Sequence, residues 1–348
     1  MSMLNHYSKI YLRNARVLLV VPNIQLNAQM KKDFSEYGMP EELLYMFIKG
    51  SDGRSKCPVW ITNRDWMNEH FDVMPKDFDV VIVDECHQLK KGNNCCKLIS
   101  SLETPMKIGL TGTLPEEKYD EWNVKGILGP VVYDKEVHEM QNAGHIAQIK
   151  IKCVRFDISN RPRFKYETPE EFKTAHVDEY EFIEASEVIN SAIVKLATKL
   201  PGNTLILFNH TSHGMAMMNI LEKTHDHEHN FFVNGSTELA IREDVRTLLE
   251  ESDSNIAIAN SACFSTGINI KNISNIILSA GGKATVRTIQ SLGRGLRLKE
   301  GKTHLNLIDI SVNMKYSMSH FAKREDIYKN IYNKTINTSD IKKIIINA

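Results

Sequence analysis

The sequence has no Cys-x-x-Cys pair, no apolar run long enough to cross a bilayer and no excess charge of either sign. Its six cysteines are scattered, with Cys95 and Cys96 adjacent. That spacing excludes a disulfide framework and a cysteine zinc site and leaves ordinary reduced thiols. Apolar runs such as Val17–Val21 are far short of the roughly 20 residues a spanning helix needs. No secretory signal opens the chain, so a cytosolic protein is expected. Lysine plus arginine and aspartate plus glutamate number 43 each. Any nucleic-acid contact must therefore come from local patches, not bulk charge. There is no low-complexity tract and no readable repeat. The cluster His225, His227 and His229 could catch a metal, but a solvated loop is the plainer reading.

What remains is ordinary for a globular protein. Hydrophobic residues make up 42% and charged residues 25% of 348 positions, enough for about two domains with their own cores. Short β-branched runs alternate with helix-length stretches throughout, the pattern of parallel sheets wrapped by helices. Strands are expected at 15–22, 58–63, 78–85, 106–113 and 149–158 in the first half. In the second half they are expected at 203–209, 230–236, 255–262, 272–281 and 304–311. The fold class is therefore α/β, with two similar halves. The first lobe is placed at 1–160, an acidic connector at 161–182, the second lobe at 183–335 and a tail at 336–348. Glu167–Glu187 reads as a solvated connector or exposed helix face. Tyr316, His320, Phe321, Ile327, Tyr328 and Ile331 recur at helical spacing, predicting a helix docked on the second half or, alternatively, a partner-binding helix.

Several motifs sit where ligands bind open α/β sheets, beyond the carboxyl ends of strands. Asp84-Glu85-Cys86-His87 ends an apolar strand. A carboxylate pair there suits Mg²⁺ coordination by Asp84, with Glu85 polarising an attacking water; the alternative is an acidic turn. Gln290-Ser291-Leu292-Gly293-Arg294-Gly295-Leu296-Arg297 falls in a predicted helix within the basic run Lys283–Lys302. Arg294 and Arg297, three apart, share a face and can grip a polyphosphate. An arginine so placed can contribute on the order of 10³–10⁵ in phosphoryl-transfer rate; a basic surface helix is the alternative. Thr111-Gly112-Thr113 and Ser265-Thr266-Gly267-Ile268-Asn269 each follow a strand, where small residues can relay ligand state or simply form a turn. Gly267 permits close backbone approach, and Thr266 or Asn269 could reach ribose or phosphate.

The order of these motifs resembles that of superfamily 2 helicases. PNIQL (22–26) corresponds to motif Ia, DECH to motif II, TGT to motif III, LILFNH (205–210) to motif IV, STGIN to motif V and QSLGRGLR to motif VI. More narrowly, DECHQLKK, LTGTLPEEK and FNHTSHGMAM resemble the UvsW-like recombination and repair helicases of tailed phages, over a stretch reaching about residue 335. The resemblance implies two RecA-like parallel-sheet lobes in tandem, ATP and Mg²⁺ as cofactors, and DNA as partner. Residue by residue, it implies Mg²⁺ on Asp84, water activation by Glu85, and coupling of nucleotide state through His87, Thr111, Gly112 and Thr113. Gln290, Arg294 and Arg297 would reach the nucleotide from the second lobe, with Gly267 and Asn269 lining its site. Nucleic-acid contacts would come from Pro22, Asn23, Gln25, Thr62, Asn63, Asn209, His210 and Thr266.

The sequence departs from the family in one respect. It contains no Gly-x-x-x-x-Gly-Lys-[Ser/Thr] loop upstream of Asp84, and Gly301-Lys302-Thr303 has Leu296 where the first glycine belongs. Residues 2–14 resemble the helix that follows that loop, so the first lobe is expected to be incomplete at its N-terminus. Hydrolysis by this polypeptide alone is expected to be poor; the open explanations are translation that starts further upstream, a split gene with a separately encoded N-terminal piece carrying the loop, and a remnant that binds without turnover. The expected function is an ATP-dependent DNA helicase or translocase acting on branched DNA in phage recombination, repair or replication, in the host cytoplasm. A non-catalytic nucleic-acid-binding fragment and a restriction- or chromatin-type translocase are the alternatives.

Overall fold

A computed structural model describes residues 15–51, 53–112, 114–115, 117–159, 161–162, 164, 168–224, 230–265, 272–279 and 304–346. The chain forms two compact units, Met1–Asp134 and Lys135–Ala348.

The first unit runs β1 (Val17–Val21), α1 (Ile24–Glu36), β2 (Leu44–Met46), β3 (Val59–Asn63), α2 (Arg64–His70), β4 (Val80–Asp84), α3 (Asn94–Ser101), β5 (Met106–Leu110) and α4 (Lys118–Leu128). Its strands pair in the order β2-β3-β1-β4-β5, parallel at every described step. The central strands β1 and β4 are apolar and buried up to Asp84, as expected where helices cover both faces of a sheet. Successive side chains alternate: Leu18, Val20, Val81 and Val83 join Met67 of α2, Ile99 of α3 and Val124 of α4. Val17, Leu19, Val21 and Ile61 face the other way onto Leu26 of α1.

The second unit runs α5 (Val137–Asn142), β6 (Gln148–Ile158), α6 (Pro169–Ala185), α7 (Glu187–Ala197), β7 (Thr204–Phe208), α8 (Thr211–Thr224), β8 (Asn230–Val233), α9 (Leu239–Glu251), β9 (Ile256–Asn260), α10 (Ser261–Ser265), β10 (Asn275–Leu278), β11 (His304–Val312), α11 (Lys315–Tyr332) and β12 (Ile341–Ile346). Its described strands pair in the order β12-β6-β11-β10-β7-β9-β8, again all parallel. One face packs Ile206, Phe208, Ile258 and Ile308 against Ile189 and Ile193 of α7 and Met217 of α8. The other packs Leu205, Leu207, Ile276 and Leu307 against Leu249 of α9 and Tyr328 and Tyr332 of α11. The helix expected from Tyr316 to Ile331 is thus α11, docked on its own sheet.

Three boundaries differ from the sequence reading. Strand 149–158 was assigned to the first lobe, but β6 pairs along its length with β11, Gln148 opposite His304 through Phe156 opposite Val312. Its partners lie some 150 positions ahead, which no local pattern reveals. The stretch 336–348, read as a tail, supplies β12, which pairs with β6 from Cys153 to Ile158. The acidic connector forms α6, and that helix is not merely solvated: Ala175, Glu179, Tyr180, Ile183 and Glu184 are buried. Glu179 accepts from the backbone amides of Tyr316 (3.0 Å) and Ser317 (2.6 Å), so a carboxylate from α6 caps the amino end of α11.

The amino ends of four strands are tied by asparagines. Asn203 Nδ2 lies 2.6 Å from the Leu249 carbonyl, 2.8 Å from that of Ser252 and 2.9 Å from that of Asn272. Its Oδ1 accepts from the backbone and side chain of Asn255, both at 2.9 Å. Asn306 Nδ2 donates to Asn275 Oδ1 at 2.8 Å and continues the relay to β11. Because Asn203 is fully buried, Asn203→Ala strands several donors and acceptors. We expect a loss on the order of 2–3 kcal/mol in the unfolding free energy from urea denaturation.

Candidate functional site

In the first unit, parallel register brings the carboxyl ends of β3, β1, β4 and β5 to one edge of the sheet. Val21 lies opposite Asn63, Val20 opposite Val83, and Asp84 opposite Leu110. Pro22, Asn23, Thr62, Asn63, Asp84, Glu85, Thr111 and Gly112 therefore share that edge.

The acidic turn has a specific shape. β4 is apolar and buried through Val83 and becomes partly open at Asp84. Glu85 then adopts φ +50°, a left-handed conformation costly for a non-glycine residue. The chain closes into a short 3₁₀ turn, Cys86–Gln88, and the Gln88 amide donates to the Glu85 carbonyl at 3.0 Å. His87 Nδ1 lies 2.9 Å from Thr111 Oγ1 and 3.3 Å from Glu85 Oε2. One imidazole thus joins the turn after β4 to the turn after β5. Cys86 points inward, and burial pushes its thiol up to about 11, which makes it packing and not a nucleophile.

Two features at this turn escaped the sequence reading. Gly109 of β5 has no room for a side chain, since an added Cβ would lie 2.6 Å from Leu128 Cδ1 and 2.8 Å from Cys86 Sγ. Asn123 of α4 donates from Nδ2 to the Leu89 carbonyl at 2.8 Å, and Lys90 pairs with Asp120 at 3.6 Å. The segment after the acidic turn is therefore fastened to α4. A glycine in a strand signals close approach only once its neighbours are known.

At the other end of the same edge, the side chains differ in availability. Thr62 is buried and its hydroxyl donates to the Phe47 carbonyl at 2.8 Å. Asn63, also buried, accepts from Asn27 Nδ2 at 3.3 Å. Asn23 caps α1 by accepting from the Leu26 amide at 3.2 Å. Arg64, which the sequence reading passed over, donates to the Pro22 carbonyl at 3.3 Å and brings a guanidinium to the turn between β1 and α1. Gln25 lies in the first turn of α1.

In the second unit, Asn209 and His210 follow β7. Asn260 Nδ2 donates to the Asn209 carbonyl at 3.0 Å, and Ser261 Oγ to the Phe208 carbonyl at 3.0 Å. His210 is exposed and its Nδ1 lies 2.8 Å from Glu184 Oε2, whose side chain is nearly buried. Thr113, Thr266, Gly267, Asn269, Gln290, Arg294 and Arg297 lie outside the described residues.

Among the described residues no cluster of three or more His, Cys, Asp or Glu side chains could hold a metal ion. The donor set at Asp84 and Glu85 suits Mg²⁺, which takes one or two protein carboxylates and completes its shell with water and substrate phosphate oxygens. When bound there, the ion would neutralise phosphate charge. No helix among the described residues is long and apolar enough to cross a membrane.

Comparison with known proteins agrees with this geometry. Residues 1–116 match the family of the type III restriction enzyme res subunit. The chain is 28% identical to the ATP-dependent DNA helicase UvsW of Enterobacteria phage T4 over 323 residues, 87% of this chain and 61% of that protein. It is 29% identical to the DNA 3'-5' translocase XPB2 of Sulfurisphaera tokodaii over 151 residues, 43% of this chain and 33% of that protein. It thus spans less than two thirds of either relative. In fold it is similar to the S. cerevisiae Dbp5 structure with RNA and ADP-BeF3, with a TM-score of 0.64 at 14% identity, covering 98% of this chain and 81% of that one. Two parallel sheets, with an Asp-Glu-Cys-His turn at the carboxyl edge of the first, thus make the chain similar in sequence to DNA helicases and translocases and similar in fold to a two-sheet helicase structure.

Proposed function

We propose that this chain is the motor portion of an ATP-dependent DNA helicase or translocase that remodels branched DNA during phage recombination, repair or replication. The observation that carries the reading is the His87 bridge, which ties the Glu85 carboxylate of the DExH turn to Thr111 on the neighbouring strand end. In this reading Asp84 holds Mg²⁺ and Glu85 orients and deprotonates the attacking water. A change in charge at Glu85 is passed through the imidazole to Thr111, Gly112 and Thr113. Gln290, Arg294 and Arg297, with Gly267 and Asn269, are read as further nucleotide contacts. Pro22, Asn23, Gln25, Thr62, Asn63, Asn209, His210 and Thr266 track the nucleic acid, by backbone as much as by side chain where the side chains are buried.

The 348 residues contain no glycine-rich Gly-Lys-[Ser/Thr] loop upstream of Asp84. That loop's amides and lysine are a main source of phosphate stabilisation. Hydrolysis by these residues alone is therefore slow, and a phosphate-binding loop supplied from outside these 348 residues would complete the motor in the host cytoplasm. The test is DNA-stimulated phosphate release by the purified chain, run beside fluorescence anisotropy with a labelled branched oligonucleotide. Binding without appreciable turnover is expected. Brisk turnover would overturn the slow-hydrolysis reading, and absence of DNA binding would overturn the motor reading itself. The res-subunit match over the first unit favours, as a second reading, a double-strand translocase that never separates strands; strand-displacement assays distinguish the two.

A further inference from the structure

Glu184 and His210 sit at helix ends where each is electrostatically unwelcome. Glu184 lies in the last turn of α6, which carries no basic residue, and carboxylates are disfavoured at helix C-termini. It is also nearly buried, and burial pushes its carboxyl up despite the hydrogen bond from His210. His210 precedes α8, where its carbonyl accepts from the amides of His213 (3.1 Å) and Gly214 (3.2 Å). A positive charge at a helix N-terminus is likewise disfavoured. The two partners offset each other, and the backbone holds the carboxylate in place: Asn190 Nδ2 donates to the Glu184 carbonyl at 2.9 Å.

An ionised carboxylate can only accept, so the 2.8 Å contact requires Nδ1 of His210 to carry its proton. Nε2 is then the nitrogen left for a ligand, on a side chain that is 65% exposed beside the end of β7. A neutral imidazole offers a lone pair there and cannot donate to a phosphate oxygen; an imidazolium offers N–H and positive charge. Close by, Asn209 Oδ1 is buried without a hydrogen-bond partner among the described residues.

We propose that Glu184 is a positioning residue for nucleic-acid binding: it fixes the His210 ring so that Nε2 faces outward and grips a backbone phosphate only when the ring is protonated. The inference rests on the reading of His210 as a nucleic-acid contact. The surrounding groups leave His210 as the switch. On α6, Glu184 and Glu181 are the acidic neighbours. On α8, His213 is held down to about 4, by burial first and by His210 second, and bonds Asn190 of α7 at 2.9 Å, so it stays neutral through the relevant range. Asn209 and Asn260 at the ends of β7 and β9 do not titrate. The sign follows directly: phosphate affinity is present with the ring protonated and absent with it neutral.

The test is anisotropy of a fluorescein-labelled single-stranded oligonucleotide titrated with the full chain between about pH 5 and 8. The wild type is expected to bind more tightly at the acid end. His210→Ala should weaken acid-end binding roughly tenfold and flatten the pH profile, with a salt slope shallower by about one phosphate contact. Glu184→Leu should do the same with His210 still present. Glu184→Gln keeps an acceptor for Nδ1 but removes the charge, and is expected to move the profile to lower pH. Long-range ¹H–¹⁵N spectra should show the Nδ1–H tautomer of His210 in the wild type and its loss in Glu184→Leu, a readout that destabilisation alone would not move. Retention of the wild-type pH profile by both Glu184 variants overturns the inference while leaving the motor reading intact. A wild type that binds no nucleic acid at any pH overturns both.

Discussion

Glu85→Gln is expected to lower DNA-stimulated phosphate release by a factor on the order of 10²–10⁴ in a motor whose phosphate grip is complete. In the 348 residues alone it is expected to leave both the slow turnover and the DNA affinity unchanged. Two physical points support the asymmetry. The carboxylate is held in a left-handed turn, φ +50°, that is costly for a residue with a side chain. Strain of that kind persists where surrounding structure over-determines it, here through the 3₁₀ turn and the imidazole of His87. The amide of glutamine fits the same turn but takes no proton from water, so the substitution removes chemistry and spares architecture. Phosphate release and anisotropy, measured on the same preparations, separate the two. A Glu85→Gln variant of the completed motor with undiminished turnover would rule Glu85 out as the base.

Arg324→Met is expected to cost about 3–5 kcal/mol of folding free energy, the usual penalty for orphaning one member of a buried ion pair. Arg324 of α11 and Asp309 of β11 are both fully buried. The guanidinium is bidentate, Nε to Oδ2 and Nη2 to Oδ1, both at 2.8 Å. Tyr328 adds a donation to Oδ2 at 2.6 Å. Removing the arginine leaves a carboxylate among Leu307, Tyr328 and Cys153 with one hydroxyl as its partner. Replacing both, as Asp309→Leu with Arg324→Met, should restore most of the loss, because two desolvated charges leave together. Urea midpoints of the two single variants and the double variant form the cycle that decides it. A single variant within about 1 kcal/mol of wild type would mean the pair is not desolvated as described. The pair also explains how α11, separated from β11 by a short turn, is pinned to one sheet face.

The strands were legible because parallel strands buried on both faces read as unbroken apolar runs, as in Val80–Val83. The DExH turn was legible because its residue types are rare together and end such a run. The shortest elements were not: β2 has only three residues, and β12 shows no signal beyond a lysine-spaced apolar stretch. Membership of β6 in the second sheet was invisible for another reason, since hydrogen-bond partners some 150 positions away leave no trace in a local window. The acidic reading of α6 failed because charge counts describe a segment's average, whereas Glu179 and Glu184 are individually buried and bonded.

The sequence by itself determined the alternation of strands and helices, the order of the chemical motifs and the lack of a phosphate loop upstream of Asp84, because each is a property of residue type and spacing. Tertiary structure alone decided that His87 bridges Glu85 and Thr111, that Gly109 must stay bare against Cys86 and Leu128, and that Glu184 holds His210. Those are distances between segments, and distance across a sheet is fixed by register and packing, which are properties of the folded chain as a whole.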